Sequence, residues 1–255
     1  MPLNSTEKVL YILKILRKPP YSLSLTEIAE KLEITKSGAL KILNIMGANA
    51  FVIRDVKTKR YTLGPALLRL GNVYKELKGI VEIARPILKH LTEVTEETSY
   101  ITIWEHDEAF IILKEDGPRG VLYKLEGNQV YGDEIPINCG ASSKLLAAYQ
   151  DPEFIEGLVN SLELTRFGPN TITNKKALLQ EYEKIRKNQY AISDGEYLPG
   201  LVGIAVPIID KNRDVWCSVS ISGPKNRLNP SEPGEILELL RQSAHQIEFR
   251  LRFRS

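Results

Sequence analysis

The sequence has few cysteines, few histidines and no long apolar run, and each shortage excludes a class of protein. With only Cys139 and Cys217, a disulfide framework and a four-cysteine zinc site are excluded. The three histidines lack the spacing of metal ligands, so we expect no metal and no cofactor. No apolar stretch reaches the ~18 residues that suggest a membrane-spanning helix. The N-terminus also lacks the apolar core and cleavage site of a signal peptide, so we expect a cytoplasmic protein without membrane contacts.

The charge is distributed unevenly along the 255 residues, a length that fits two ordinary domains. Residues 1–64 carry eleven Lys or Arg and five Asp or Glu, a net charge of +6, whereas the remainder carries −4. Such asymmetry favours a polyanion as the partner of the first segment, although a solvated basic face gives the same count.

The first 64 residues predict three short helices. Apolar residues at helical spacing between Val9 and Leu16 indicate the first helix, which Ser5 or Thr6 can cap. This helix must end before Pro19 and Pro20. The second has a capping box, with Ser24 as N-cap and Glu27 three residues later.

Thr35 can cap the third helix, which has two distinct faces. Ala39, Ile42, Leu43 and Met46 repeat at core spacing. The opposite face is polar and basic apart from Leu40, and we expect it to contact the DNA major groove through Lys36, Ser37, Leu40, Lys41 and Asn44.

Two strand-like segments, 51–54 and 60–63, flank a basic tip and predict a β-hairpin. We expect Lys57, Lys59 and Arg60 to contact the DNA backbone. Three helices followed by a basic hairpin indicate a winged helix-turn-helix DNA-binding domain in residues 1–64. Some winged helices bind protein or RNA instead.

A helix is predicted from Pro65 to Gly79, with a wide apolar stripe that runs from Ala66 to Leu77. We treat residues 65–79 as a linker helix. Its stripe packs either on a second copy of the chain or on the chain's own second domain.

Residues 80–255 mix helices and strands without a repeating βαβ rhythm, which indicates an α+β fold. Predicted strands are 99–104, 109–114, 121–125, 201–209 and 214–222, and predicted helices are 81–92, 142–149, 152–160, 175–187 and 233–253. In the last strand, Trp216, Ser218, Ser220 and Ser222 share one face. That face suits either a small polar ligand or contact with water.

The chain resembles the IclR family of transcriptional regulators almost from end to end. The likeness rests on LTEIAEKLEITKSGALKIL, RDVKTKRYTLG, PINCGASSKLLAAY, FGPNTIT, YAISDGEYLPGLVGIAVPIID and SISGPKNRL. The resemblance implies that residues 80–255 form a GAF-like effector-binding domain and that the chain self-associates as a homodimer or homotetramer. It also implies that the chain binds double-stranded operator DNA under the control of an organic acid or aromatic metabolite. The effector, the operator and the sign of regulation remain open.

The resemblance also implies an effector pocket lined by three segments. These map onto Ala141, Ser142, Ser193 or Asp194, Gly203, Ser220 and Ser222. N–H groups at the start of the predicted helix at Ser142 are suited to hold a carboxylate. This sequence departs from the family at the acidic stretch 193–196 and at Gly203, a position that often carries a larger side chain.

Two rival functions are weaker. An enzyme would use Cys139, which precedes a helix start where a thiolate is stabilised, but no His or Asp is spaced to assist it. A DNA-packaging protein would need no ligand, which leaves the serine face without a purpose.

Overall fold

The computed structural model describes residues 3–105, 107–118, 134–210 and 214–252, except for the side chains of residues 74–78 and 134. The chain divides into two compact units, Met1–Lys78 and Gly79–Ser255. The strand predicted at 121–125 and the side chains of Tyr74 and Leu77, at the end of the linker stripe, lie outside this description.

The first unit contains the predicted helices and hairpin. Its elements are α1 (Ser5–Leu16), α2 (Leu25–Lys31), α3 (Lys36–Ala48), β1 (Val52–Arg54), β2 (Tyr61–Leu63) and α4 (Pro65–Lys78). Nine buried residues from the helices and the hairpin form one apolar core: Ile12, Leu16, Leu23, Ile28, Leu32, Leu43, Met46, Val52 and Tyr61. Leu23 and Tyr61 exchange two backbone hydrogen bonds of 3.0 and 2.7 Å, which tie the segment before α2 to the hairpin.

The cap of α1 differs from the prediction. The N-cap is Asn4, not Ser5 or Thr6. The Asn4 Oδ1 accepts the Glu7 N–H at 3.0 Å, and the Glu7 carboxylate accepts the Asn4 N–H at 2.7 Å. This reciprocal pair requires a Glu or Gln three residues after the cap, and among the three candidates only Asn4 has one. The predicted caps Ser24 and Thr35 are confirmed.

The second unit is an antiparallel sheet with helices on both faces. Its elements are α5 (Ile80–Thr95), β3 (Thr98–Glu105), β4 (Glu108–Glu115), β5 (Glu134–Ile135), α6 (Ala141–Ala148), α7 (Pro152–Ser161), α8 (Lys175–Asn188), β6 (Ala191–Asp194), β7 (Leu201–Ile209), β8 (Val215–Pro224) and α9 (Gly234–Arg252). Within the described residues the strand order is β5-β4-β3-β8-β7-β6. The short strands β5 and β6 lie at its edges and were not predicted.

Alternate residues of β3 show which helix covers which face of the sheet. Ser99 hydrogen-bonds Thr92 of α5 at 2.6 Å. The next residue, Tyr100, is the register partner of Ser220, whose hydroxyl is bonded to Ser142 of α6. Since successive side chains of a strand point to opposite faces, α5 and α6 cover opposite faces. The serine face of β8 therefore does not meet water, and that alternative is wrong: Ser218 and Ser220 are 0% and 3% exposed.

Candidate functional site

One face of α3 is exposed, polar and basic. Lys36, Ser37, Lys41 and Asn44 are exposed and Leu40 is half-buried. The opposite face buries Ala39, Leu43 and Met46 in the core of the unit. Among the described residues, neither Lys36 nor Lys41 has an acidic partner, so both ammonium groups are available to an external anion.

The tip of the β1–β2 hairpin is also basic, and its shape is held from within. Asp55 accepts the N–H groups of Lys57 and Thr58 at 3.0 and 2.6 Å and the Thr58 hydroxyl at 2.8 Å. These hydrogen bonds, those from Thr58 first, lower the pKa of Asp55. Lys57 and Lys59 are exposed beside this turn. A fixed turn therefore presents two lysines on the same unit as the basic face of α3.

Arg60, predicted as a DNA contact, is engaged inside the unit. Its guanidinium donates to the Ser22 carbonyl at 3.0 Å and to the Ser22 hydroxyl at 3.2 Å, and it pairs with the Glu27 carboxylate at 2.9 Å. Hydrogen bonds from Ser24 and, more weakly, the contact with Arg60 lower the pKa of Glu27 to about 2. These contacts join the hairpin to the start of α2, so Arg60 positions the hairpin.

The second unit contains a small cleft between the sheet and the start of α6. Six of the seven predicted effector residues line it: Ala141, Ser142, Ser193, Gly203, Ser220 and Ser222. The seventh, Asp194, does not; its carboxylate accepts a hydrogen bond from Lys225 at 2.6 Å. Side chains alternate along β6, and Ser193, the register partner of Gly203, is the residue that faces the cleft. Tyr100, Thr102 and Tyr197 also line the cleft and were not predicted.

Hydroxyl groups dominate the polar surface of this cleft. The Ser142 hydroxyl donates to Ser220 at 2.7 Å, and the hydroxyls of Tyr100 and Ser222 are 3.0 Å apart. Burial raises the pKa of Tyr100, which keeps its hydroxyl neutral. None of the described residues that line the cleft carries a charge. The polar groups that border the cleft are therefore hydroxyls and the N-terminal end of the α6 dipole, and no charged side chain is among them.

Two glycines shape the end of the cleft next to α6. Gly140 caps the helix with a φ of 83°, a conformation that L side chains rarely adopt. A Cβ at Gly203 would lie 3.5 Å from the Ala141 Cβ and 3.8 Å from the Ala141 nitrogen. Gly203 thus leaves open the approach to the first-turn N–H groups of α6, which have no acceptor within the helix.

A buried ion pair holds α6 against the chain that follows β6. Lys144 is fully buried, and its Nζ lies 2.5 Å from Glu196 Oε1, 2.8 Å from the Ile192 carbonyl and 3.2 Å from Glu181. The other oxygen of Glu196 accepts the Gly140 N–H at 3.0 Å. Burial raises the pKa of Glu196, and the contact with Lys144 opposes that effect. The network fixes the position of the helix start that borders the cleft.

Tyr197 links the cleft to an aromatic contact near the surface. Its ring stacks on Phe167 with centroids 5.8 Å apart and an interplanar angle of 17°. Phe167 is 43% exposed. Phe167 begins the segment FGPNTIT and Tyr197 lies in YAISDGEYLPGLVGIAVPIID, two segments that the sequence analysis used only as family matches.

The environment of the two cysteines argues against the enzyme alternative, in which Cys139 would act as a thiolate. Both cysteines are buried. Burial, and secondarily the charge of Glu196, raise the pKa of Cys139 to about 12. Burial also raises the pKa of Cys217. Neither thiol is ionised near neutral pH, so neither serves as a nucleophile.

The described part of the chain holds neither a candidate metal site nor a candidate membrane span. No cluster of three or more His, Cys, Asp or Glu side chains suited to a metal ion occurs there. Across the same ranges, no helix has the length and apolarity needed to cross a membrane.

Comparisons with known proteins point to one family of regulators. The family model for the bacterial transcriptional regulator IclR C-terminal region matches residues 74–249. The HTH-type transcriptional regulator BhcR of Paracoccus denitrificans is 27% identical over 227 residues, which cover 89% of this chain and 80% of that protein. These relatives are transcriptional regulators and not enzymes.

Solved structures share the fold along nearly the whole chain. The Thermotoga maritima IclR has a TM-score of 0.72 and 30% identity, and the match covers 97% of this chain and 98% of that one. An IclR homologue from Microbacterium hydrocarbonoxydans, in complex with 4-hydroxybenzoate, has a TM-score of 0.83 and 22% identity, with 98% and 99% covered. The mixed fold of helices and sheet is therefore that of this family.

Proposed function

The chain belongs to the IclR family of transcriptional regulators, and we propose that it binds operator DNA through residues 1–64 and that a small carboxylic acid in the cleft of the second unit controls this binding. In this proposal residues 1–64 are a winged helix-turn-helix domain, 65–79 the linker helix and 80–255 a GAF-like effector-binding domain. The observation that carries the proposal is the pair of exposed lysines, Lys36 and Lys41, on a helix whose other face is buried.

α3 has the properties of a recognition helix. Lys36, Ser37, Lys41 and Asn44 would face the major groove, where lysine and asparagine recognise base edges and serine bonds either base or phosphate. Leu40 on the same face would contact apolar base atoms. Lys57 and Lys59 would contact the backbone from the hairpin, and Arg60 would hold the hairpin in place through Ser22 and Glu27.

Exposed apolar side chains on α4 favour self-association. Leu68, Leu70 and Val73 are 67%, 56% and 53% exposed in the single chain. Of the two uses weighed for this stripe, we propose that it packs on a second copy. Two copies would present two recognition helices to a pseudo-palindromic site.

The cleft favours a small acid over a bulky one. The volume of the cleft is about 40 Å³, which leaves room for a few water-sized groups. A carboxylate would accept hydrogen bonds from the first-turn N–H groups of α6 and from the cleft hydroxyls. The relative that holds 4-hydroxybenzoate supports a carboxylate as the shared feature. We propose an aliphatic acid of a few carbons for this chain.

Gly203→Ala tests the proposal that the cleft binds the effector. The added methyl would meet Ala141 at ordinary contact distance, so the fold should tolerate it, but the methyl would occupy the approach to the helix N–H groups. We expect the thermal stabilisation by short carboxylic acids seen with the wild type to be lost, whereas binding to the DNA upstream of the gene should be unchanged.

Gly157→Ala is the matched control, because a Cβ there meets nothing within 4 Å. It should keep both the ligand response and DNA binding. A Gly203→Ala protein that responds to the acids as the wild type does would remove the helix start from the effector site. Loss of DNA binding in Gly203→Ala without unfolding would contradict the separation of the two functions.

A further inference from the structure

Ile45 is a large apolar side chain on the otherwise polar, exposed side of α3. It is 66% exposed, whereas the same helix buries Ala39, Leu43 and Met46 in the core of its unit. A β-branched residue at an exposed helix position has a lower helix propensity than alanine, and its apolar surface stays in water. Ile45 therefore serves neither the core nor the helix of the single unit, and its place on α3 decides what it can contact.

Ile45 continues a row of side chains that the proposed recognition surface already uses. Residues four apart on a helix lie one above the other, so Ser37, Lys41 and Ile45 form one ridge along α3. All three are exposed. Eight residues separate Ser37 from Ile45, about 12 Å along the helix axis, which is close to the width of the major groove. A helix that places Ser37 and Lys41 in the groove therefore places Ile45 there as well.

The charge around Ile45 favours DNA over a second copy of the chain as its partner. Lys41 lies one turn before Ile45 and Lys36 begins the helix, whose sequence KSGALKILNIMGA contains no acidic residue. A second copy packed on this ridge would bring like charges together and would bury lysines without a partner, which is costly. DNA supplies phosphates to these lysines and a groove to the side chains between them.

The major groove offers an isoleucine one kind of apolar partner. Among the four bases thymine alone presents a methyl group there, at C5, and the other base edges present hydrogen-bonding groups. Contact between this methyl group and Ile45 would remove apolar surface of both from water, which favours binding. The Asn49 side chain donates to the Ile45 carbonyl at 2.8 Å and so holds the last turn of the helix in place.

We propose that Ile45 contacts the C5 methyl group of a thymine in each half-site of the operator and so determines specificity at that base pair. The lysines of the same face supply affinity, and Ile45 supplies selection between base pairs. This inference rests on the proposed function, since it assumes that α3 lies in the major groove.

The test removes either side of this contact, singly and together. The DNA is the part of the upstream region that the wild type protects from cleavage. In a series of duplexes, uracil replaces thymine at one position and at its symmetry mate, which deletes the C5 methyl group and keeps the hydrogen-bonding groups of the base. Fluorescence anisotropy gives the Kd of each duplex for full-length wild type, Ile45→Ala and Leu10→Ala, and circular dichroism and sedimentation check fold and assembly.

Leu10→Ala is the matched control. Leu10 is 55% exposed and lies on α1, outside the proposed recognition helix and hairpin. The substitution removes a comparable apolar surface from the same unit. It should leave the wild-type preference for thymine over uracil unchanged.

We expect uracil at the contacted position to weaken wild-type binding about fourfold for each half-site, the value of one methyl group removed from water. Ile45→Ala should bind the thymine duplex more weakly than the wild type does, and it should not distinguish uracil from thymine at that position. Because Ile45 is exposed and alanine is the stronger helix former, the fold should persist.

Two results would overturn the inference while leaving DNA binding in place: a wild type that binds every uracil duplex as tightly as the thymine duplex, or a thymine preference that survives Ile45→Ala. A preference lost equally in Leu10→Ala would also overturn it, since the effect would then come from altered fold or assembly. If the wild type does not bind its upstream DNA, the proposed function and this inference both fail.

Discussion

Replacement of Lys144 by methionine should lower the free energy of unfolding of the second unit by about 3–5 kcal/mol, the cost of a buried charge that loses its partner. The Lys144 side chain is 1% exposed and that of Glu196 is 9% exposed, so water cannot replace the lost contact. Glu196 would still accept the hydrogen bond from the Gly140 N–H, but it would lose the ammonium group that offsets the desolvation of its carboxylate. Urea unfolding measures the change. Trp104 and Trp216 are the only two tryptophans and both belong to this unit, so their fluorescence reports on it alone.

The penalty should depend on pH in a defined direction. Burial already raises the pKa of Glu196, and the loss of Lys144 raises it further. A carboxyl whose pKa is higher in the folded than in the unfolded state binds a proton more readily when folded, so stability falls as the pH rises through that interval. Lys144→Met should therefore be less destabilising at about pH 5 than at about pH 8. Glu196→Gln in the same protein should recover part of the stability and remove the pH dependence.

The control is Lys184, a surface lysine near Glu181, which also contacts Lys144. Lys184 lies 3.9 Å from Glu181 with a side chain that is 69% exposed. Lys184→Met should change the free energy of unfolding by less than about 1 kcal/mol at either pH. Equal effects of the two lysine variants would contradict the role assigned to the buried pair.

Removal of the two lysines from the exposed face of α3 should weaken operator binding by about tenfold or more. In Lys36→Gln with Lys41→Gln, the helix keeps its buried face and its Thr35 cap, so the fold should persist. Each lysine that neutralises a phosphate releases counterions, and two lysines in each of two copies make four such contacts, so the slope of log K against log salt should become shallower by about 2–3.5. Fluorescence anisotropy of labelled upstream DNA at several salt concentrations measures both quantities.

Lys14→Gln with Lys18→Gln removes the same charge from the same unit and serves as its control. Both lysines are exposed, and both lie outside the proposed recognition helix and hairpin. If the control weakened binding as much as the α3 variant, net charge alone would account for DNA affinity, and the assignment of α3 would be wrong.

Features set by local chemistry were predictable from the sequence. The caps Ser24 and Thr35 were identified because each hydrogen-bonds a backbone N–H only three residues further along the chain. The position of Asn4 was missed because three adjacent residues can cap a helix, and the decision depended on Glu7. The strands β5 and β6 were missed because two to four residues are too few to show a periodicity.

The cleft was only partly predictable, since it depends on contacts between distant residues. The serine face of β8 marked Ser220 and Ser222, and the family motifs added Ala141, Ser142, Ser193 and Gly203. Nothing in the sequence indicated that Lys144 would reach Glu196, 52 residues away. The place of Thr102 in the cleft lining was equally unpredictable, because its position opposite Ser218 follows from a strand pairing that periodicity does not specify.

The central claim is that a basic face in residues 35–63 binds DNA under the control of the cleft, and a salt titration of the wild type on its own upstream DNA tests it most directly. Four lysines in each of two copies predict a slope of log K against log salt of about −4 to −7, with preference over unrelated DNA. A carboxylic acid that stabilises the protein should shift the affinity by roughly 5- to 150-fold. Equal binding to both DNAs at low salt, unchanged by every such acid, would contradict the account.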